Sequence, residues 1–227
     1  MLGLTNLVGF GPATSPNKNI KLLCHCDSAG TSFVDSSLFG NTITAQGNAT
    51  QSTTQSKFGG SSAYLDGTSD NLSTANVADF AFGTGDFTLA CWVYYDAASV
   101  GSDRGIFDGR TTPTGNLPTV YTGTSGVLYY YTGSSNKITS AAGVMLPRTW
   151  QHIALARSGS STRLFVNGVQ VGSTYTDTTN YAQTRFFVGR LHDQTNGWLG
   201  YIDEILIMKG QALYTSTFPP PAAPYEV

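Results

Sequence analysis

The sequence predicts an all-β protein folded as a two-layer antiparallel sandwich, and three observations lead to that prediction. Short runs rich in β-branched and aromatic side chains follow one another from residue 20 to residue 213, separated by Gly, Asn, Ser, Thr and Asp. No stretch of about ten residues shows a helical period. The 227 residues are 40% hydrophobic and 12% aromatic, which suffices for the core of one large β domain.

The clearest predicted strand is 86–95, DFTLACWVYY. Its alternation places Phe87 and Leu89 on one face and Trp92 and Tyr94 on the other, and both faces are apolar, as in an inner strand of a sandwich. The clear cases among the predicted strands are 20–26, 61–66, 86–95, 126–131, 150–157, 162–167, 185–190 and 198–208.

Two local signals add detail. Asn167–Gly168 readily adopts the positive φ angles of a two-residue hairpin, so 162–166 and 169–173 are expected to pair antiparallel. Residues 75–80 could form one short helical turn.

The two ends differ from the middle. Residues 1–19 are predicted to be an extended N-terminal arm, whose apolar side chains would be buried on a neighbouring subunit or on the domain's own edge. Residues 20–214 form the predicted domain. Residues 215–227 carry four prolines, which cannot sit in a sheet ladder, so an extended tail that leaves the domain is expected.

Composition excludes several function classes. Charged residues are only 11% of the chain, the net charge is −2, and no basic run occurs, so nucleic acid is not an expected partner. The start of the chain resembles no signal peptide, and no stretch has transmembrane length, so membrane insertion is not expected. The chain would therefore stay in the cytoplasm or reach the exterior by another route, such as a virus particle.

The cysteines are Cys24, Cys26 and Cys91. An odd number argues against a complete disulfide framework, and two neighbours on one strand rarely have disulfide geometry. No Cys or His pair has zinc-site spacing. All three cysteines are predicted to be small core residues.

Four blocks carry a resemblance to a known family. In chain order they are LLCHCD at 22–27, FGGSSAYLDG at 58–67, GTGDFTLACWV at 83–93, and WQHIALAR…LFVNGVQV at 150–171 followed by GYIDEILIMKGQALYTSTFPPP at 200–221. Together they resemble the laminin-G-like (concanavalin A-like) family, in the version common in bacterial surface and phage structural proteins. The resemblance implies an antiparallel two-sheet jelly roll. Cys26, in place of the usual bulky aromatic, and Ser28, in place of the common Gly, depart from the pattern.

The resemblance also implies a function. The ending at 212–221 resembles versions found in phage tail, fibre and decoration proteins, which favours a non-catalytic virion-surface protein with a carbohydrate-binding or adhesin role. The expected partners are glycans or a host cell surface, other virion subunits through 1–19 and 215–227, and further copies of the chain in a homo-oligomer. A purely structural assembly protein without glycan binding is the alternative.

A glycoside hydrolase is a third hypothesis. Glycoside hydrolysis usually needs two carboxylates about 5–10 Å apart. The chain has only two glutamates, Glu204 and Glu226, and alternation would direct Asp203 and Glu204 to opposite faces of a strand. His25 and His152 lie inside strand patterns and are expected to be structural. No catalytic residue is therefore predicted.

A structural Ca²⁺ is compatible with the resemblance. Calcium takes roughly six to eight oxygen ligands, which include carboxylates and backbone carbonyls. The carboxylates in the matching blocks are Asp27, Asp66 and Asp203, and a shared site would require them to converge. Otherwise they cap turns.

Carbohydrate binding would use an aromatic ring beside amide, carboxylate or guanidinium groups. The stretch 101–123 is predicted to be the longest variable loop, and loops often carry function. The candidate ligand-contacting residues are Phe107, Asp108, Arg110, Tyr129, Tyr131 and Trp198.

Overall fold

The structure is a computed structural model that describes residues 17–96, 102–113, 115–193 and 196–227. These residues form two antiparallel sheets packed face to face, with short 3₁₀ turns at Ala78–Phe80 and Thr124–Gly126. The predicted all-β sandwich is confirmed. Within the described ranges, no helix is long and apolar enough to cross a membrane.

The larger sheet has eight strands. In spatial order they are β13 (Val169–Thr176), β12 (Ser161–Val166), β11 (Gln151–Ser158), β6 (Phe87–Tyr95), β15 (Leu199–Lys209), β4 (Ser62–Asp66) and β3 (Thr50–Ser52), with β1 (Ile20–Cys24) paired to β15. Strand β15 is long enough to serve two neighbours on one side: Leu199–Ile202 pair with β4, and Ile205–Met208 pair with β1.

The smaller sheet has seven strands. In spatial order they are β10 (Ser135–Thr139), β9 (Leu128–Thr132), β8 (Thr119–Thr122), β7 (Arg104–Asp108), β14 (Phe187–Val188), β5 (Asn71–Thr74) and β2 (Ile43–Gln46). Strands far apart in the sequence are therefore neighbours at its centre, where β14 lies between β7 and β5.

The predicted strands are present as β1, β4, β6, β9, β11, β12, β14 and β15. The Asn167–Gly168 hairpin is confirmed, because β12 and β13 pair antiparallel with Val166 opposite Val169. The short helical turn is confirmed at Ala78–Phe80. The predicted loop 101–123 is wrong in extent, because it contains β7 and β8.

The main core lies between the sheets and follows the predicted alternation. In β6, Phe87, Leu89 and Cys91 point into this core. All three cysteines are buried free thiols, which confirms the prediction that they are small core residues.

A second apolar cluster lies on the outer side of the eight-stranded sheet. Tyr214 and Tyr225 are buried there against strand residues such as Leu206 and Phe165, and Phe218 stacks on Tyr214 at 3.7 Å. The prediction that the tail leaves the domain is therefore wrong. The proline-rich segment needs no ladder hydrogen bonds, and its aromatic side chains gain burial by covering the sheet.

Residues 1–16 of the predicted arm lie outside the described residues. The partner contacts expected for the arm therefore stay a prediction. The tail is the only one of the two predicted contact segments that the structure describes in full, and its aromatic residues pack on the chain's own domain.

Candidate functional site

The outer face of the seven-stranded sheet carries a continuous row of polar and aromatic residues. The residues in register across the strands are Thr44, Ser73, Phe187, Asp108, Thr119, Tyr131 and Asn136. Their chain neighbours, such as Phe107 and Val188, point into the core, as the two-residue period of a strand requires. We call this surface the seven-stranded face.

Asp108 organises the centre of the seven-stranded face. Its buried carboxylate pairs with Arg110 in two parallel hydrogen bonds, from Nε to Oδ1 at 2.9 Å and from Nη2 to Oδ2 at 2.8 Å. The Thr119 hydroxyl and the backbone N–H of His192 also donate to it, each at 2.9 Å. The pairing holds the Arg110 guanidinium carbon 4.7 Å from the centre of the Tyr131 ring. Asp108 is thus saturated with donors and positions Arg110.

An aromatic platform lies towards β8 and β9. The Tyr121 and Tyr129 rings stack with their centroids 4.9 Å apart and their planes 22° apart. The Tyr121 hydroxyl donates to Oδ1 of Asn136 at 3.0 Å, which fixes the ring. Both rings are half-buried, so each keeps surface that a ligand could cover. Stacked, fixed rings are suited to bind the apolar face of a sugar.

A cavity of about 360 Å³ lies towards the other edge of the seven-stranded face. This volume is within the roughly 300–1,000 Å³ typical of small-ligand sites. The residues that line it are Gln46, Gly47, Ser69, Asn71, Ser73, Arg185, Phe187 and Arg190. The guanidinium carbons of Arg190 and Arg185 lie 3.9 and 5.8 Å from the centre of the Phe187 ring.

Gly47 and Asp70 shape the rim of this cavity. Gly47 has φ +66°, and a Cβ there would lie 2.4 Å from Oδ1 of Asp70. The buried Asp70 carboxylate accepts the backbone N–H of Asn48 at 2.5 Å and of Asp66 at 3.0 Å. It therefore joins two turns and leaves no room for a side chain at position 47.

The structure places four of the six predicted carbohydrate residues on the seven-stranded face: Asp108, Arg110, Tyr129 and Tyr131. It places the other two in the core. Phe107 is 1% exposed, and Trp198 is fully buried with its ring 5.6 Å from that of Tyr95. Those two cannot meet a ligand on this surface. Alternation accounts for Phe107, since its neighbour Asp108 faces outward.

Sequence reasoning missed Arg185, Phe187 and Arg190. Arg185 and Phe187 share a face by alternation, so the RFFVGR segment contained part of the signal. Strict alternation would direct Arg190 away from Phe187, but Gly189 adopts φ +88° and ends the strand. The broken alternation returns Arg190 to the ring of Phe187.

The three carboxylates predicted to bind calcium do not form one group. Asp203 accepts the backbone N–H groups of Lys57 and Phe58, and the side chain of Asp27 lies against Gly59 in the same loop. Asp66 caps a different turn, where it accepts the N–H and hydroxyl of Thr68. In the described parts of the chain, no three His, Cys, Asp or Glu side chains form a metal-binding group.

Asp203 and Glu204 depart from the expected alternation. Glu204 has φ +51° and lies in a β-bulge, so the two carboxylates do not point to opposite faces, and that prediction is corrected. Both lie on the outer side of the eight-stranded sheet. Glu204 accepts the backbone N–H of Tyr225 and pairs with Nδ1 of His25, each at 2.8 Å.

Burial and hydrogen bonding shift the pKa values of three groups on this side of the sheet. Burial, with a smaller contribution from the charge of Glu204, raises the pKa of Asp203 to about 7, although the backbone N–H groups of Lys57 and Phe58 act to lower it. Burial likewise lowers the pKa of His152, beneath the tail, to about 3. The pKa of His25 is raised, chiefly by its hydrogen bond to Glu204. Asp203 and Glu204 are at most 1% exposed, so neither is open to a substrate.

Comparison with known proteins agrees with this architecture. The family model described as the concanavalin A-like lectin/glucanases superfamily, of laminin-G type, matches residues 66–213. Among curated protein sequences, none matches the chain significantly.

Several solved structures are similar in fold. Domain 4 of AbnA, a GH43 extracellular arabinanase from Geobacillus stearothermophilus in complex with arabinotriose, has a TM-score of 0.60 at 16% identity; the match covers 86% of this chain and 94% of that one. The binding domain of botulinum neurotoxin DC in complex with SialylT gives 0.61 at 13%, covering 86% and 49%. A mutant Trypanosoma rangeli sialidase with trans-sialidase activity gives 0.62 at 13%, covering 86% and 31%. This chain thus spans half or less of the latter two.

Proposed function

The chain belongs to the concanavalin A-like lectin/glucanase superfamily, and we propose that it is a non-catalytic carbohydrate-binding module whose ligand lies on the seven-stranded face. The observation that carries the proposal is the row of outward residues that joins the Tyr121–Tyr129 stack to the cavity beside Phe187. Aromatic rings cover the apolar faces of sugars, and the amides, hydroxyls and guanidinium groups can bond sugar hydroxyls.

The similarity to domain 4 of the arabinanase supports the proposal. The match covers 94% of that domain, and that domain is in complex with arabinotriose. A fold alone does not define a function, so the argument rests on the seven-stranded face of this chain.

The carboxylates support a non-catalytic role. Glycosidases usually present two carboxylates to one bond of the substrate. Here Asp203 and Glu204 are both buried: Asp203 accepts backbone N–H groups from the loop at Lys57 and Phe58, and Glu204 accepts the backbone N–H of Tyr225 in the tail. On the seven-stranded face, Asp108 is buried and saturated by Arg110, Thr119 and His192.

A polysaccharide and oligosaccharide array, followed by calorimetric titration of each hit, tests the proposal. Tyr129→Ala should weaken binding about fivefold or more, since loss of an aromatic stacking contact of the size known for nucleobases costs about 1–3 kcal/mol. Tyr64→Ala is the matched control, because Tyr64 is also half-buried and contacts another tyrosine, Tyr201, at 5.1 Å, but on the other sheet. No binding to any saccharide would contradict the proposal, as would equal losses in both variants. Release of new reducing ends from a bound oligosaccharide would contradict the non-catalytic role.

We further propose that the module is displayed on a virion as a decoration, tail or fibre component, and that it forms a homo-oligomer there. The resemblance of its C-terminal segment to such proteins and its low charged fraction of 11% support this setting. Antibody labelling of purified particles tests the location, and analytical ultracentrifugation tests the oligomer. If the particles are labelled but no saccharide binds, the purely structural assembly role is favoured.

A further inference from the structure

Arg190 and Arg185 lack the partners that arginines normally have. Neither guanidinium donates a hydrogen bond or forms an ion pair with any described residue. Arg190 is only 8% exposed, and its Nε has no hydrogen-bond partner. Most buried polar groups are hydrogen-bonded, so an arginine left this way needs an explanation.

The other buried arginines of the domain show the contrast. Arg110 pairs with the carboxylate of Asp108. Arg157 donates to the backbone carbonyls of Gly83, Gly85 and Thr179. The fold therefore supplies acceptors to these two structural arginines, whereas no described residue accepts a hydrogen bond from Arg190 or Arg185.

The contact between Arg190 and Phe187 orients the guanidinium so that it can bind an anion. Its guanidinium stacks on Phe187 at 3.9 Å, which fixes the plane of the group. A fixed guanidinium presents parallel N–H donors, and these match the two oxygens of a carboxylate. Arg185, over the same ring at 5.8 Å, adds a second positive charge.

Two other buried acids, Asp108 and Asp70, already have partners. Asp108 is already paired with Arg110, and Asp70 is bonded to backbone N–H groups. Burial lowers the pKa of Arg190, while the charges of Asp108 and Asp193 raise it. Arginine nevertheless stays protonated in proteins, so the cavity keeps its positive charge.

Asn71 supplies an acceptor in the cavity that a ligand hydroxyl could bond. It is 1% exposed, and its Nδ2 donates to the carbonyl of Ser69 at 3.0 Å. Its Oδ1 is therefore directed as an acceptor, and it has no partner among the described residues. Ser73 and Gln46 add further polar groups to the cavity wall.

A ligand that satisfies both features carries an anionic group and hydroxyl donors. We propose that the cavity beside Phe187 binds the carboxylate of an acidic sugar, with Arg190 as the principal carboxylate ligand, Arg185 as a second cation and Asn71 as a hydroxyl acceptor. This inference rests on the proposed function and specifies its ligand class: a glycan that bears a uronic or sialic acid.

The test compares saccharides that carry this carboxylate with counterparts that lack it. The full chain is titrated with two pairs of ligands: a uronic-acid oligosaccharide and its methyl ester, and a sialylated oligosaccharide and its asialo form. A fifth ligand is an oligosaccharide that carries sulfate but no carboxylate. We expect at least one carboxylated ligand to bind tenfold or more tightly than its uncharged counterpart, and the two pairs separate uronic from sialic acid. Arg190→Gln should remove this preference.

Two further variants keep the test interpretable. Arg185→Gln, at a half-exposed position, should reduce the preference for acid even if Arg190→Gln fails to fold. Arg148→Gln, an exposed arginine whose side chain is 67% accessible, should leave it unchanged.

Equal affinity for the acid and its uncharged form would overturn this inference and leave the proposed function standing. Binding of the sulfated ligand but of neither carboxylated one would overturn the carboxylate assignment. Failure of every saccharide to bind would overturn the proposed function itself.

Discussion

The Nε2 atom of His152 and the phenolic oxygen of Tyr225 lie 2.7 Å apart, in a hydrogen bond that joins β11 to the C-terminal tail. The same phenolic oxygen lies 3.0 Å from that of Tyr214, and the backbone N–H of Tyr225 donates to Glu204. The rings of Tyr214 and Phe218 both meet the His152 ring at 5.7 Å. Tyr225 thus anchors the tail to the outer side of the eight-stranded sheet.

Tyr225→Phe should lower the free energy of unfolding by about 1–2 kcal/mol, because it keeps the buried ring but leaves polar groups of His152 and Tyr214 unpaired. Urea unfolding at pH 7 measures the change. Glu226→Gln, at the exposed neighbouring position, is the control and should have no effect. If Tyr225→Phe unfolds at the same urea concentration as the parent chain, the anchor is not contributing to stability.

The anchor also marks where sequence reasoning succeeds and fails. Strand β6 could be predicted because its alternation reports which residues face the core. Strands β7 and β8 could not, because RGIFD and TVYT are short and lie among Gly, Pro and Thr, and because β7 also pairs with the distant strand β14. The docking of the tail depends on Tyr225 and Phe218 meeting a surface formed by other strands, which no local pattern encodes.

The candidate site follows the same division. Asp108, Arg110, Tyr129 and Tyr131 were predicted because they combine aromatic rings with groups that bond sugar hydroxyls in segments that resembled loops, although Asp108, Tyr129 and Tyr131 lie on strands β7 and β9. Positive φ angles at Glu204 and Gly189 break the alternation and redirect the side chains that follow it. Such bulges re-aim side chains, and a strand pattern gives no sign of them. For this reason the sequence did not reveal that Arg190 lines the cavity beside Phe187.

The buried carboxyl of Asp203 should make stability fall as the pH rises. Its folded pKa of about 7 lies above the unfolded value, so its contribution is fully present below about pH 4 and is lost as the pH rises through about 7. His152 acts in the opposite direction, because a folded pKa of about 3 costs stability as the pH falls below about 6.5. Comparison with a variant therefore isolates Asp203.

Asp203→Asn should become more stable relative to the parent chain between pH 4.5 and pH 8, by about 2–4 kcal/mol from three pKa units at about 1.4 kcal/mol each. Urea midpoints measured across this range give the difference. Asp66→Asn is the control: the pKa of Asp66 is lowered by its bonds to Thr68, so its curve should run parallel to the parent above pH 5. If the stability difference between Asp203→Asn and the parent chain does not vary with pH, the raised pKa of Asp203 is contradicted.

Arg157→Lys should destabilise the domain by about 3–5 kcal/mol, as expected when a buried charged network loses a partner. The Arg157 guanidinium is fully buried, donates to three backbone carbonyls and lies 4.8 Å from the centre of the Tyr181 ring. A lysine keeps the charge, but its single ammonium cannot reproduce the planar fork of donors. Arg163→Lys, on the adjacent strand β12 and half-exposed, should change stability by less than about 0.5 kcal/mol. Equal effects of the two substitutions would show that the carbonyl contacts of Arg157 do not carry this energy.

Calcium binding stays a prediction, and the structure narrows which residues it could use. Asp27 and Asp203 flank the loop at Lys57–Gly59, whereas Asp66 caps a separate turn. Because Asp203 already accepts backbone N–H groups and only Asp27 is exposed, we expect binding no tighter than about 10⁻³ M, at the weak end for extracellular modules. The melting temperature should therefore rise only in millimolar calcium compared with chelator, and Asp27→Asn should abolish the rise while Asp66→Asn retains it. A melting temperature unaffected by calcium would rule out a structural calcium ion, and a rise that only Asp66→Asn removes would place the ion at the other turn.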